Sequence, residues 1–477
     1  MGFFLFNKTP IGEGYAANRN ILDYAIGLAG QNIHYSYVSG WLRYFCVNIL
    51  HMNPKKVGYV FSSSYAWDAV NDPFIGALID RRKHLPYRKL RPYLLYFPPI
   101  IGALSALMFL NVSFDENGKI FYILILYFIW DFFYSYQDVG LWGMIALSSP
   151  HSNERARVAQ WVSIGAGAGS AFAGLFQLLR SQLLRSGIPD AQVFLIFGIA
   201  FGLFGQLLSM RAYKMPELVE SGAPEKSTLK SLTVLRHNPT LLLISIARFS
   251  LSLSPKIQGA YFFENCVTFM NGQSAEFLFG LLAGIPGAAA IFFANKIAAK
   301  IGGMKRILLL SQIAAIAIRI ITFFVGFDSP ARFIVIILLS SLMNIPGSLM
   351  DIAHRTLTSD SIDEVELKTG VRTEGVSFAM QNFISKLSGG SGALIEGFIL
   401  SKLGYDSFRK NAGLPQSSYF KKFQWPMFIL GPVSGALLYL FFISFVKDDK
   451  AHKAEVERKL KDRREALAGS ESASVIR

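Results

Sequence analysis

Twelve long apolar stretches, separated by short polar or charged segments, limit most strongly how this chain can fold. A helix needs about 20 apolar residues to cross the hydrocarbon of a bilayer, and these stretches are about that length or longer. Charged residues make up only 17% of the chain, against about 25% in an ordinary soluble protein. The sequence therefore predicts an all-α membrane protein with twelve transmembrane helices. We number them spans 1 to 12, at residues 22–48, 57–79, 93–112, 119–147, 157–182, 192–213, 240–268, 276–298, 306–326, 332–354, 373–401 and 425–446.

The two halves of the sequence have charged segments at corresponding positions between their spans. A basic turn follows spans 2 and 8, and a charged turn precedes spans 5 and 11. This repeat indicates a duplicated six-helix unit, the plan of the major facilitator fold. The expected domains are an N-terminal six-helix half at 1–213, a cytoplasmic linker at 214–239, a C-terminal six-helix half at 240–446 and a cytoplasmic tail at 447–477.

The net charge of +15 reflects topology more than a nucleic-acid partner. Most lysines and arginines fall in the segments that share a side of the membrane with both termini, which the positive-inside rule places in the cytoplasm. The expected location is the plasma membrane, with the bilayer as partner and with no nucleic acid. No signal peptide and no cofactor are expected, and a single copy of the chain should suffice. Cys46 and Cys266 match neither a disulfide framework nor a metal-ligand spacing and are read as packing residues.

Span 2 carries two acids inside its apolar run. Asp68 and Asp72 are four residues apart, so both carboxylates lie on one helix face, with Asn71 beside them. An acid at mid-membrane costs at least about 2.5 kcal/mol, so the pair needs a cation or a proton as partner. Pro73 supports such a site because it leaves the carbonyl oxygen of Ala69 without its helical donor. The alternative is an ion pair with a basic side chain of another helix.

Span 4 places a carboxylate, two hydroxyls and an indole along one face, from Tyr134, Ser135, Asp138 and Trp142. An aromatic plane beside a carboxylate suits a sugar, whose C–H faces stack on rings while its hydroxyls donate to the acid. The alternative is that Trp142 faces lipid and Asp138 pairs with a lysine.

Span 11 contributes Lys386, followed by Ser388 and two glycines where another helix could approach. Lys386 could move between carboxylates of the opposite half, or form a static salt bridge to Asp68, Asp72 or Asp138. Further charges in the apolar runs could line the cavity or pair with one another. They are Arg248 and Lys256 in span 7, Asp351 and His354 in span 10, and Glu396 in span 11.

At these residues the sequence resembles the glycoside–pentoside–hexuronide:cation symporters, the family of melibiose permease within the major facilitator superfamily. WDAVNDPFIGALIDRR resembles the family's helix-2 signature, QDVGLWG with NERARV its helix-4 region, and GVRTEGVSFAMQNFISK the approach to its helix-11 lysine. The resemblance implies that the coupling ion, Na⁺ or H⁺, binds Asp68, Asn71, Asp72 and Ser135, with sodium held by the two acids. It also implies that Asp138 and Trp142 contact sugar and that Lys386 lies between the two sites.

Two positions depart from the galactoside-transporting members of that family. Asn32 stands in span 1 where they have an acid, and Ser163 stands early in span 5 where they have an arginine. Asn32 can still hydrogen-bond a sugar, but α-galactoside transport is not expected. With Arg248 and Lys256 nearby, an anionic uronide is conceivable.

The function expected from the sequence is cation-coupled symport of a glycoside, pentoside or hexuronide by alternating access. Three rivals remain open: a carrier of lysolipid-like amphiphiles, a membrane sensor without transport, and an intramembrane prenyltransferase-like enzyme. The enzyme is the weakest rival, because Asp360 and Asp363, its only second acidic motif, lie in a loop between spans. The sequence leaves open which sugar is carried, which cation drives it, the oligomeric state and any role of the tail.

Overall fold

The computed structural model describes residues 15–81, 89–149, 152–218, 238–291, 300, 303–369 and 374–446, with 456, 458 and 459. Some side chains within these ranges, including those of Asp72 and Asp351, lie outside the described set. Most of the predicted linker and of the predicted tail also lies outside it.

The chain divides into two compact units. The first comprises Met1–Glu225 with Asn271–Phe277 and Leu400–Ser417. The second comprises Lys226–Met270, Leu278–Ile399 and Ser418–Arg477. The sequence-based halves at 1–213 and 240–446 stay predictions.

The described residues up to 218 form eight α-helices, with a π-helical turn at Gly198–Leu203 and a 3₁₀ turn at Met210–Lys214. The α-helices are α1 (Asn18–Asn48), α2 (Pro54–Arg81), α3 (Arg91–Met108), α4 (Glu116–Leu147), α5 (Ser152–Gly174), α6 (Phe176–Arg185), α7 (Asp190–Phe197) and α8 (Phe204–Ser209).

The later part forms nine more α-helices among the described residues. They are α9 (Pro239–Ser252), α10 (Gly259–Cys266), α11 (Gly272–Ile291), α12 (Met304–Val325), α13 (Pro330–Thr369), α14 (Glu374–Lys402), α15 (Ser407–Asn411), α16 (Ser418–Ile429) and α17 (Gly431–Ser444).

Six helical stretches of the described residues are long and apolar enough to cross a membrane. They coincide with predicted spans 4, 5, 6, 9, 10 and 12, so the all-α membrane class is confirmed, while the count of twelve stays a prediction. The six stretches are Glu116–Ile145, Arg157–Arg185, Asp190–Lys214, Met304–Val325, Pro330–Met350 and Ser418–Ser444.

Two differences between the predicted spans and the observed helices concern candidate residues. Span 7 is broken between α9 and α10, where Pro255 has no N–H to donate and disfavours helix at the residue before it. Lys256 therefore lies in a non-helical break, with an exposed side chain, and not on a helix as predicted. Span 10 continues well past its predicted end, because α13 runs to Thr369. Asp360 and Asp363 are consequently helical and not in a loop.

Small residues bring α1 and α5 into close contact. A Cβ atom on Gly165 would lie 2.1 Å from the carbonyl oxygen of Ala25, and one on Gly169 would lie 2.2 Å from that of Ala29. No larger side chain fits at either glycine without moving a backbone, so this spacing fixes the distance between the helices.

A fully buried arginine links α6 to α7. Arg180 donates from Nε to Oδ1 of Asp190 at 2.8 Å and from Nη2 to Oδ2 at 2.6 Å. The Arg180 guanidinium also lies 5.0 Å from the ring centre of Tyr44 and 5.1 Å from that of Phe194. The charge is thus neutralised by a carboxylate and covered by two aromatic rings.

The segment Leu400–Ser417 packs against the end of α1 in the first unit. Asn411 donates from Nδ2 to the carbonyl of Asn48 at 2.6 Å, and the Tyr405 hydroxyl donates to the Asn48 side chain. The His51 ring stacks on Phe408 with centres 4.0 Å apart. These contacts tie residues far apart in the sequence to a single helix end.

Candidate functional site

The core of the site is a buried polar cluster between α2 and α4. The Asn71 amide donates from Nδ2 to Oδ2 of Asp131 at 3.1 Å and to Oγ of Ser135 at 3.2 Å. All three side chains are buried. Because an ionised carboxylate can only accept, Asp131 fixes which way the amide points. Neither bond uses the Asn71 amide oxygen, which leaves an oxygen ligand beside the cluster.

Asp131 is a site residue that sequence reasoning missed. It is only 2% exposed and lies four residues before Ser135 and seven before Asp138, so it shares their face of α4. That spacing was the available signal. A third acid near the predicted ion site adds negative charge where the local dielectric is low.

The acids of α2 are only partly described. Asp68 is half-buried one turn before Asn71, while the side chain of Asp72 lies outside the described residues. Within the described part of the chain, no group of three or more histidine, cysteine, aspartate or glutamate side chains could hold a metal ion. A sodium site at Asp68 and Asp72 therefore stays a proposal.

The predicted carboxylate and indole of α4 are in direct contact. Trp142 donates from Nε1 to Oδ1 of Asp138 at 3.2 Å. Asp138 is half-buried and Trp142 is 45% exposed. The hydrogen bond fixes the indole plane beside the carboxylate, so that one ring and one acid are presented together, as stacking and hydrogen bonding to a sugar require.

A second polar and aromatic group lies at the junction of α1 and α4. Asn32 donates from Nδ2 to Oε1 of Gln31 at 2.7 Å, and the Gln31 amide donates in turn to the Tyr134 hydroxyl. The Tyr134 ring stacks between Tyr35 at 5.4 Å and Trp130 at 4.8 Å. The structure thus brings Asn32 and Tyr134 together, through Gln31, which the sequence did not single out.

A buried hydrogen-bond network holds this group from behind. Gln206 donates from Nε2 to Nδ1 of His34 at 2.7 Å, and His34 donates from Nε2 to Oγ of Ser105 at 2.6 Å. Gln206 accepts in turn from Nε2 of Gln137 at 2.7 Å. The indole nitrogen of Trp130 lies 3.3 Å from Nε2 of His34. These hydrogen bonds therefore connect four helices, α1, α3, α4 and α8, next to the stacked rings.

The second unit contains a cavity of about 320 Å³ that brings together two of the predicted cavity residues, Arg248 and His354. His354 is buried and bonds through Nε2 to the Tyr439 hydroxyl at 2.7 Å. Lys256 does not line this cavity, and the side chain of Asp351 lies outside the described residues. The cavity is lined by Arg248, Leu251, Gln312, Gly347, Met350, His354, Ile384, Ser385 and Ser388.

Two other predicted charges occupy different positions. Lys386 is half-buried on α14, one residue after Ser385. The Glu396 carboxylate accepts the backbone N–H of Gln258 at 2.7 Å, where α10 begins. Glu396 therefore takes part in holding the helix that follows the break in span 7.

The fold is that of membrane transporters of the major facilitator type. A crystal structure of a mutant of the nucleoside transporter NupG superposes with a TM-score of 0.60 at 16% identity, over 90% of this chain and 100% of that one.

A family profile described as MFS/sugar transport protein matches residues 23–448, and the chain belongs to that family. The uncharacterized symporter YjmB of Bacillus subtilis (strain 168) is 25% identical over 392 residues, covering 80% of this chain and 83% of that protein. A putative sulfoquinovose importer of Escherichia coli (strain K12) is 24% identical over 396 residues, covering 81% and 82%.

The resemblance to the glycoside–pentoside–hexuronide:cation symporters is thereby confirmed. The protein is a multi-pass membrane protein of a secondary sugar-transport family. It is a transporter and not an enzyme, as predicted.

Proposed function

We propose that the protein carries a sugar across the plasma membrane together with Na⁺ or H⁺, by alternating access, with both termini in the cytoplasm. The observation that carries this proposal is the buried cluster of Asn71, Asp131 and Ser135. A carboxylate that is 2% exposed inside an apolar helix needs a balancing positive charge or a proton, and a coupling ion can supply either one.

The coupling site consists of Asp68, Asn71, Asp72 and Ser135, with Asp131 added. Asn71 organises the site, because its two amide hydrogens orient Asp131 and Ser135 and its oxygen is available to a cation. Sodium prefers oxygen ligands of this kind, and a proton would neutralise one of the carboxylates. Binding of either species lowers the cost of burying the cluster.

The sugar site consists of Asp138 and Trp142, with Asn32 and Tyr134 from the group held by Gln31. Asp138 lies one turn after Tyr134 and Ser135 on α4, so a single helix connects the sugar-binding carboxylate to the coupling cluster. Occupancy of the ion site can therefore change sugar affinity through the position of α4.

The test is gradient-driven accumulation in proteoliposomes. Purified protein is offered radiolabelled neutral glycosides, pentosides and uronides against separate Na⁺ and H⁺ gradients. The expected result is uphill accumulation of at least one sugar with one of the two gradients. Asp72→Asn should abolish accumulation but retain some sugar binding or exchange, because it removes a charge and keeps the side-chain volume.

Asp328→Asn is the matched control. Asp328 is exposed, pairs with Arg332 four residues later and lies between α12 and α13. Its replacement should leave accumulation unchanged. Cation-dependent uptake that persists at the wild-type level in Asp72→Asn would overturn the proposed coupling site.

A further inference from the structure

The cavity of the second unit has a basic side chain in its lining. Arg248, half-buried on α9, lines it together with the buried His354 of α13. Hydroxyls of Ser385 and Ser388 and the amide of Gln312 complete its polar lining. Its volume of about 320 Å³ lies within the range of pockets that hold small molecules.

The Arg248 side chain is positioned by a neutral group. Its Nη1 donates to Oε1 of Gln381 at 3.1 Å, and Gln381 in turn donates from Nε2 to Oγ of Ser245 at 3.1 Å. An amide oxygen orients a guanidinium but does not cancel its charge. Among the described residues, no carboxylate forms an ion pair with Arg248.

The physical consequence is that the described lining of the cavity carries a positive charge. A guanidinium keeps its proton in a protein, and its field is strong where little water screens it. Its planar fork of N–H donors matches a carboxylate or sulfonate, two of whose oxygens can accept parallel bonds. Serine hydroxyls on the neighbouring helix can donate to the same anion.

We propose that this cavity is an anion subsite, in which Arg248 binds the carboxylate or sulfonate of an acidic sugar. The inference rests on the proposed sugar transport and specifies its substrate class. Arg248 is then the residue that separates acidic sugars from neutral ones of the same ring structure.

The test uses pairs of probes that differ only in the acidic group. Binding of methyl β-D-glucuronide and methyl β-D-glucoside to the purified full-length protein is measured by isothermal titration calorimetry. A second pair, 6-deoxy-6-sulfo-D-glucose and 6-deoxy-D-glucose, distinguishes sulfonate from carboxylate. The wild-type protein should bind at least one acidic member about tenfold or more tightly than its neutral partner, the size of a charge-assisted contact.

Variants of Arg248 test whether this side chain produces the preference for the acidic probes. Arg248→Gln should lose the preference and still bind the neutral probe, and Arg248→Lys should retain part of it because the charge remains. Arg319→Gln is the control, since Arg319 is another half-buried arginine of this unit, does not line the cavity and donates to the Ile429 carbonyl. It should keep the wild-type preference.

Three outcomes would overturn the subsite: equal binding of the two members of both pairs by wild type, no binding of any probe, or an equal loss for acidic and neutral probes in Arg248→Gln. The first two are decided on wild-type protein and do not depend on how a variant folds. If acidic probes bind through Arg248 but no gradient drives their accumulation, the symport proposal fails while the subsite stands.

Discussion

Replacing Asp131 by asparagine changes one charge and almost nothing in shape. The carboxylate is buried and accepts from Asn71, and an asparagine side chain can present an oxygen to the same donor. The helix and the neighbouring packing should therefore persist. If Asp131 belongs to the coupling site, the loss should appear in cation affinity.

The size of that loss follows from the contacts. Asn71 bonds to both Asp131 and Ser135, so a cation held by the Ser135 oxygen would be about 5 Å from the Asp131 carboxylate. At an effective dielectric constant of about 20, two unit charges at that separation attract by about 3 kcal/mol. Loss of this interaction should weaken cation binding on the order of 100-fold, since about 1.4 kcal/mol corresponds to a factor of ten in affinity.

The assay is sugar binding by the purified protein as a function of Na⁺ concentration and, separately, of pH. Asp131→Asn should shift the half-saturating cation concentration by that factor, while sugar affinity at saturating cation approaches the wild-type value. Asp328→Asn provides the exposed control. An unchanged cation dependence in a folded Asp131→Asn protein would refute the assignment of Asp131 to the site.

Three further predictions concern stability. Gly169→Val should lower the free energy of unfolding by about 3 kcal/mol through overpacking. Gly167→Val should be tolerated, because a Cβ atom there meets nothing within 4 Å. Thermal melts in detergent compare the two variants, and equal melting temperatures would contradict the close packing of α1 on α5. Arg180→Met should lower the free energy of unfolding by about 2 kcal/mol in the same melts, because the partly exposed Asp190 loses both hydrogen bonds from Arg180 and keeps only Lys410, 3.9 Å away; an unchanged melt would contradict this. Burial, and then the charge of Lys119, lower the pKa of His51. The folded protein therefore favours the neutral ring, and the contribution of His51 to folding stability is lost as the pH falls below about 6.5. Hydrogen exchange around Phe408 should accelerate on acidification, and less so in His51→Gln; identical pH profiles would contradict it.

Much of the helical framework could be predicted because apolar length and polar breaks are local properties of the sequence. Span 1 was placed at 22–48, and α1 runs Asn18–Asn48. Span 7 failed because the apolar residues before and after the polar stretch 252–258 were joined into one run, which conceals the break that Pro255 makes. Hydropathy averages over such a break, whereas backbone hydrogen bonding does not.

The site could be predicted where it depends on spacing along one helix. Asp138 and Trp142 are four residues apart and hydrogen-bonded, as helical periodicity requires. Spacing along α4 puts Asp131 on the face of Ser135 and Asp138, but its pairing with Asn71, like the pairing of Gln31 with Tyr134, depends on which neighbouring helix the residue faces. The pairing of Asn71 with Asp131 joins residues 60 positions apart, and no periodicity within one helix contains that information.

The measurement that tests the central claim most directly is cation entry driven by the sugar. Proteoliposomes without any ion gradient receive an inward gradient of a transported sugar, and ²²Na⁺ uptake and internal pH are recorded together. The account predicts that sugar entry carries Na⁺ or H⁺ into the vesicles in wild-type protein, and that this flux is lost in Asp72→Asn. Sugar entry with neither ion moving in the wild-type protein would contradict coupled transport.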